Sequence, residues 1–263
     1  MVNKYWLEAL NINCYKNGNR VIKDLSLSLN NSENVMLIGP NGSGKSSLIE
    51  LINRNLYPVV KDDMKLKLFN NELINLWDLR KRISTVNTDI KKRISPKVKV
   101  FDVIASGLYG KYYYISNKSE KDISKTETIL RKMNIDNLSL KYFSHLSDGE
   151  KQIILIARAL IKNPEIIILD EPTSNLDYKS KFFFIDHLNE ISRLNTKILC
   201  VTHDISMITE IYDRILMLKD GSLIADGSQD EVINSVNINK LFDINVKVSR
   251  EDNRWNIRRI SKQ

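Results

Sequence analysis

Cysteine is scarce in this chain of 263 residues: only Cys14 and Cys200 occur. They form no C-x-x-C pattern, so neither a disulfide framework nor a cysteine-built metal site is expected. Cys200 stands in the apolar run Ile198-Leu199-Cys200-Val201 and reads as a small buried residue. Long hydrophobic runs are also missing. None approaches the ~18 residues that span a bilayer, and residues 1–8 hold no signal-peptide core. The expectation is a cytoplasmic protein whose membrane role, if it has one, comes through a partner. Internal repeats and low-complexity tracts are absent. The balance of 42% apolar and 27% charged residues fits an ordinary globular chain, long enough for one large core or two small ones. The formal charge of +8 is spread thinly, apart from Lys91-Lys92-Arg93 and Arg258-Arg259. Neither cluster has the interleaved aromatics of a single-strand platform, so nucleic acid is not an expected partner.

What the chain does have is the stretch Gly39-Pro40-Asn41-Gly42-Ser43-Gly44-Lys45-Ser46-Ser47. It follows the apolar run Val35-Met36-Leu37-Ile38, short enough for a buried strand, and precedes Leu48-Ile49-Glu50-Leu51-Ile52, which reads as a helix. In that context G-x-x-x-x-G-K-[ST] specifies a phosphate-binding loop. The glycines let successive N–H groups turn into one concavity, and the helix adds its positive end. Lys45 would reach the outer phosphates and the Ser46 hydroxyl would bind Mg²⁺.

Around this loop the chain alternates between strand and helix patterns. Residues 7–12 and 25–29 read as strands joined by a turn at Asn17-Gly18, with Tyr15 at the end of the first. Further strands are expected at 65–69 and 83–86. The polar, basic stretch 89–96 reads as a loop. Helices are expected at 98–108 and at 119–133, the second with Ile123, Ile129, Leu130 and Met133 on its apolar face. The triplet Tyr112-Tyr113-Tyr114 lies between them and reads as packing or as part of a docking surface. Ser147 with Glu150 forms a capping box opening a helix to Ile161. The β-branched run 166–169 has the pattern of a strand buried on both faces and ends in Asp170-Glu171. A loop, a helix at 180–194, a buried strand at 197–201 ending at Thr202-His203-Asp204, a helix at 205–212 and a hairpin around Asp220-Gly221 follow. A second capping box at Ser228–Glu231 and a last hairpin (246–249 with 255–258) complete the pattern.

The chemistry implied is phosphoryl transfer, in which positioning and charge stabilisation do most of the work. Asp170 would hold the Mg²⁺ that Ser46 also binds, and Glu171 would polarise the attacking water. Both stand at the carboxyl end of a strand, where α/β proteins place their sites. His203 ends another buried strand and could touch a γ-phosphate.

In this order the motifs resemble the ATP-binding cassette (ABC) ATPase family over essentially the whole chain. Gly39 to Ser46 resembles the Walker A loop, and Ile166 to Glu171 resembles Walker B with its catalytic glutamate. Leu146 to Glu150 stands at the place of the LSGGQ signature, Ser174-Asn175-Leu176-Asp177 resembles the D-loop, and His203 the switch histidine. Tyr15 falls where the family stacks an aromatic on adenine. The resemblance implies an α/β P-loop NTPase (RecA-like) core with a mixed sheet and an antiparallel β subdomain over 1–88 and 162–263, with an inserted helical subdomain over 89–161. It also implies a head-to-tail dimer in which Ser147 and Gly149 of one subunit meet the ATP on the other's Walker A loop, with Mg²⁺ as cofactor and membrane permease subunits as partners. The stretch Asp102 to Gly110 is similar to metal-chelate and zinc/manganese importer ATPases. The tail around Arg254-Trp255 is similar to a soluble, molybdate-like group, and leaves open a stand-alone switch acting on nucleic acid or the ribosome.

The sequence departs from the family at two points. The signature has Asp148 and Glu150 in place of glycine and glutamine, and no glutamine occurs before Gln152, so the Q-loop residue is missing. Thr88, Asp89 and Lys91 are the candidates for its position. A cation is repelled by Mg²⁺, so Thr88 or Asp89, and not Lys91, is expected to face the nucleotide.

Overall fold

The computed structural model describes residues 4–112, 117–251 and 254–260. In chain order the elements are β1 (Tyr5–Lys16), β2 (Asn19–Asn30), β3 (Val35–Ile38), α1 (Lys45–Ile52), β4 (Lys65–Leu68), α2 (Leu76–Arg82), β5 (Ile83–Val86) and α3 (Thr88–Arg93). Then come α4 (Val100–Ser106), α5 (Glu120–Lys132), α6 (Asp148–Leu160), β6 (Ile166–Asp170), α7 (Tyr178–Ser192) and β7 (Lys197–Thr202). The last are β8 (Arg214–Lys219), β9 (Ser222–Gly227), α8 (Gln229–Val232), α9 (Ser235–Phe242), β10 (Val246–Glu251) and β11 (Arg254–Arg259). They fall into two compact units, Met1–Leu79 with Ile198–Gln263, and Arg80–Lys197.

In the first unit, β1 and β2 form an antiparallel hairpin. Asn17 (φ 51°) and Gly18 (φ 79°) occupy its turn, the two positive angles that a tight hairpin turn needs. Leu25, Leu27 and Leu29 of β2 are buried, the apolar face expected from their alternation. β4 pairs with the free edge of β1. A second sheet places β3 between β7 and β8, parallel to both, with β9 antiparallel to β8. All four residues of β3 are buried, which is why its sequence is continuously apolar. β10 and β11 form the expected closing hairpin. Residues 205–212 do not form the expected helix. Only Ile205–Met207 makes a 3₁₀ turn, because Asp204 Oδ1 accepts from the Ser206 N–H at 3.0 Å and Ile208 is already extended. β-branched residues in that stretch resist continuing the coil.

In the second unit, β5 and β6 pair in parallel. The first four residues of β6 are buried. α5 is capped by Ser119, which accepts from the Asp122 N–H, and buries Ile129 and Leu130, with Met133 at its end. Ile123, expected on the same face, is instead 39% exposed. The stretch read as a loop contains α3. Its N-cap is Asn87, whose side chain accepts from the Ile90 N–H, and Asp89 and Lys91-Lys92-Arg93 match the polarity of the helix ends. With no residue of α3 buried, there was no apolar periodicity to reveal it. The Arg158 guanidinium lies 4.6 Å from the centre of the Tyr112 ring, a packing role; Tyr113 and Tyr114 lie outside the described residues.

Candidate active site

In the first unit, β3 runs directly into the phosphate loop. The Gly39 N–H donates to Thr202 O at 3.3 Å, and the Ser43 N–H to Pro40 O at 3.2 Å, curling the chain before α1 begins. A Cβ on Gly39 would sit 2.3 Å from Leu218 O and 2.5 Å from Ser43 Oγ, so no side chain fits. Gly42 and Gly44 have φ of 81° and 104°, the left-handed region that glycine alone enters cheaply. A Cβ on Gly44 would also meet Val21 O at 2.7 Å. The Lys45 ammonium is buried and donates to Gly39 O at 2.7 Å and Pro40 O at 3.0 Å. Ser46 and Asn41 are exposed, Pro40 is half-buried, and Ser47 is buried behind the loop. The buried Ser43 hydroxyl has no hydrogen-bond partner among the described residues. This is a cradle of backbone with a cation folded into it, the chemistry that fits a phosphate chain.

Two further candidate site residues, His203 and Tyr15, belong to the same unit. Thr202 is the register partner of Ile38, so His203, the next residue, emerges beside the start of the loop. Thr202 Oγ1 accepts from the Asp204 N–H at 3.0 Å and shapes the backbone around His203. Tyr15 is half exposed at the end of β1, opposite Arg20. Its neighbour Lys16 donates to both carboxylate oxygens of Glu50 in α1 at 2.7 and 2.8 Å, which fastens this end of the hairpin to the loop helix. Gly221, read from sequence only as a hairpin turn, supports the loop from behind. Its N–H donates to Ser43 O, and its carbonyl accepts from the Lys23 N–H, both at 2.8 Å.

The second unit carries the acidic and signature residues. Asp170 closes β6, and Glu171 follows with φ 49°, a strained angle for a non-glycine residue and a frequent mark of a functional position. The Ser174 N–H and hydroxyl both donate to Glu171 O, at 3.1 and 2.9 Å, and hold that turn. Ser147 caps α6: its Oγ accepts from the Glu150 N–H at 3.2 Å while its own N–H donates to Glu150 Oε2 at 2.7 Å. Asp177 caps α7, where Oδ1 accepts from the Ser180 N–H at 2.7 Å. That backbone hydrogen bond holds the Asp177 carboxyl below its ordinary range. Ser180, which the sequence pattern did not single out, joins the two motifs. A Cβ on Gly149 would lie 2.8 Å from Ser180 O, so the glycine lets the starts of α6 and α7 touch. In the region of the missing glutamine, Thr88 opens α3, Asp89 pairs with Lys92 at 3.1 Å, and Lys91 reaches Asp148 Oδ1 at 2.5 Å.

The ABC transporter family pattern matches residues 22–174. An uncharacterised ABC transporter ATP-binding protein of Lactococcus lactis is 32% identical over 249 residues, covering 93% of this chain and 95% of that protein. Among solved structures, the chain is similar to cbiO1 of Clostridium perfringens, part of the ABC transporter complex cbiONQ, with a TM-score of 0.77, 25% identity, and coverage of 90% of this chain and 94% of that one. It is also similar to a dimeric ATP-binding cassette in a post-hydrolysis state bound to ADP and phosphate, with a TM-score of 0.65, 26% identity, and coverage of 84% and 98%. The mixed α/β architecture is that of the P-loop NTPase cassettes in these structures. A phosphate loop that only glycine can build, followed by an acidic strand end and a capped signature helix, agrees with these matches: the chain belongs to the ABC transporter family and is one of its ATP-binding, ATP-hydrolysing cassettes.

Proposed function

We propose that this cassette powers a transporter of the importer type, through separate permease subunits on the inner face of the cell membrane, and that it works as a homodimer or with a related subunit. The observation that carries the ATP-driven part is the phosphate cradle, with Lys45 buried against Gly39 O and Pro40 O. These carbonyls hold the ammonium at the mouth of the loop, ready to exchange one oxygen partner for a phosphate. Tyr15 stacks on the adenine in this reading. The exposed Ser46 hydroxyl and the Asp170 carboxylate supply two hard oxygen ligands. The described residues contain no cluster of three His, Cys, Asp or Glu, and a Mg²⁺ site completed by nucleotide oxygens and water requires none. When bound, Mg²⁺ neutralises charge on the transferring phosphate.

Glu171 orients and deprotonates the attacking water, and His203 contacts the γ-phosphate end. Ser147 and the Gly149 N–H, at the start of a 13-residue helix, meet the triphosphate held by a second subunit. Their proximity to Asp177 through Ser180 supports this, because one face then presents both the signature and the D-loop to the partner. The likeness of Asp102 to Gly110 to metal-chelate importer ATPases supports the direction of transport. No helix among the described residues is long and apolar enough to cross a membrane, so the permease is a separate chain in this reading. Affinity purification from detergent-solubilised membranes tests the transporter assignment. A multi-span membrane protein that co-purifies in stoichiometric amount supports it. Recovery of ribosomes or nucleic acid instead favours the soluble switch.

A further inference from the structure

The signature helix α6 carries two carboxylates, Asp148 and Glu150, in its first turn. Glu150 is consumed by its cap: Oε2 accepts from the Ser147 N–H, and Oε1 lies 3.7 Å from Lys141. Asp148 is not part of the cap. Its Oδ1 lies 2.5 Å from Lys91 Nζ and 3.4 Å from Lys151 Nζ. Lys151 sits three residues on in the same helix, whereas Lys91 comes from 57 residues away, on the helix that Asn87 caps. The Lys91 hydrogen bond is the first cause holding the Asp148 carboxyl below its ordinary value. The two departures of this chain, an acidic signature and a lysine near the missing glutamine, therefore meet at one contact.

We propose that Lys91 is a positioning residue for the ATPase cycle: it neutralises Asp148 so that the start of α6 closes over a triphosphate. The proposal rests on the reading that Ser147 and Gly149 meet the ATP of a second subunit. In the free subunit the two side chains are 38% and 48% exposed, so water screens them and the pair adds little to stability. Closure excludes that water. An unpaired Asp148 would then oppose the phosphates at full strength, and Lys91 cancels that opposition. Dimer closure, and not the binding of ATP to a subunit's own loop, is the step that depends on the pair.

The test uses the full chain carrying Glu171→Gln, expected to bind ATP without hydrolysing it, and measures MgATP-driven dimerisation by sedimentation. Four versions are compared: no further change, Lys91→Ala, Asp148→Asn, and both. Lys91→Ala is expected to weaken dimerisation by about tenfold, the order of one lost charge pair in a desolvated contact. Melting temperature and affinity for a fluorescent ATP analogue stay unchanged. Adding Asp148→Asn restores the dimer to the level of Asp148→Asn alone. An equal loss from Lys91→Ala in both backgrounds, or no loss in either, overturns the proposal while leaving the composite site standing. A Glu171→Gln parent that stays monomeric with MgATP overturns the composite-site reading, and the Lys91 role with it.

Discussion

Lys45 shows how one residue is specified twice, by its motif and by its surroundings. Lys45 is only 6% exposed, and the turn of the loop brings the Gly39 and Pro40 carbonyls within hydrogen-bond distance of its ammonium. A buried cation is tolerable only with such partners. Lys45→Ala is expected to weaken MgATP binding by at least tenfold, since a charge-assisted contact to phosphate contributes about 1.5–3 kcal/mol. Titration with a fluorescent ATP analogue measures this, and an unchanged circular dichroism spectrum shows that the fold is kept. At this scale the loop was legible because the glycine spacing is a direct record of where the backbone must turn. Gly221 was not legible. Its φ of 83° marks an ordinary hairpin turn, and nothing local announces that its N–H supports Ser43. Ser180 was hidden for the same reason, since its contact with Gly149 is tertiary.

Helix ends carry much of the information at the scale of elements. The boxes at Ser147/Glu150 and Ser228/Glu231 were readable because both partners lie within one turn. α3 was not, because a short helix with no buried residue leaves no apolar stripe. Residues 205–212 looked helical from their apolar content, but the Asp204 turn and β-branched neighbours redirect the chain. The contact of α6 with α7 gives a sharp prediction. Gly149→Ala places a methyl 2.8 Å from a backbone oxygen, which has to shift. Loss of ATPase turnover by tenfold or more is expected, the scale of effect that small misplacements of a catalytic arrangement cause. Binding of the nucleotide analogue to the phosphate loop stays normal. The caps also predict a pH dependence. Asp177, Asp122 and Glu231 all have carboxyls held below their ordinary values, mainly by the Ser180 N–H, the Tyr109 hydroxyl and the Ser228 hydroxyl respectively. Their contribution is present above the unfolded-state range near 4 and is lost as the pH falls through that range to the lower folded values. Thermal melts are expected to show stability declining on the acid side of that range. A variant combining Asp122→Asn, Asp177→Asn and Glu231→Gln is expected to show a shallower decline.

For the molecule as a whole, the candidate site residues are divided between the two compact units. One has the phosphate loop, Tyr15 and His203, and the other has Asp170, Glu171 and the signature. The succession of strands along the chain and the order of the motifs were readable together because buried parallel strands are continuously apolar and end at the candidate site residues. The pairing partners of those strands were not readable, since β3 reaches β7 and β8 across more than a hundred residues of chain. In the proposed function, ATP closes two copies of this chain and Glu171 then supports hydrolysis. Glu171→Gln preserves the side chain's shape and removes the base, so sedimentation of this variant with and without MgATP, alongside its hydrolysis rate, tests both halves at once. The account predicts an ATP-dependent dimer and a rate lower by about 10²–10⁴, the effect of losing a general base. A variant that remains monomeric with MgATP and turns over at the normal rate would contradict it.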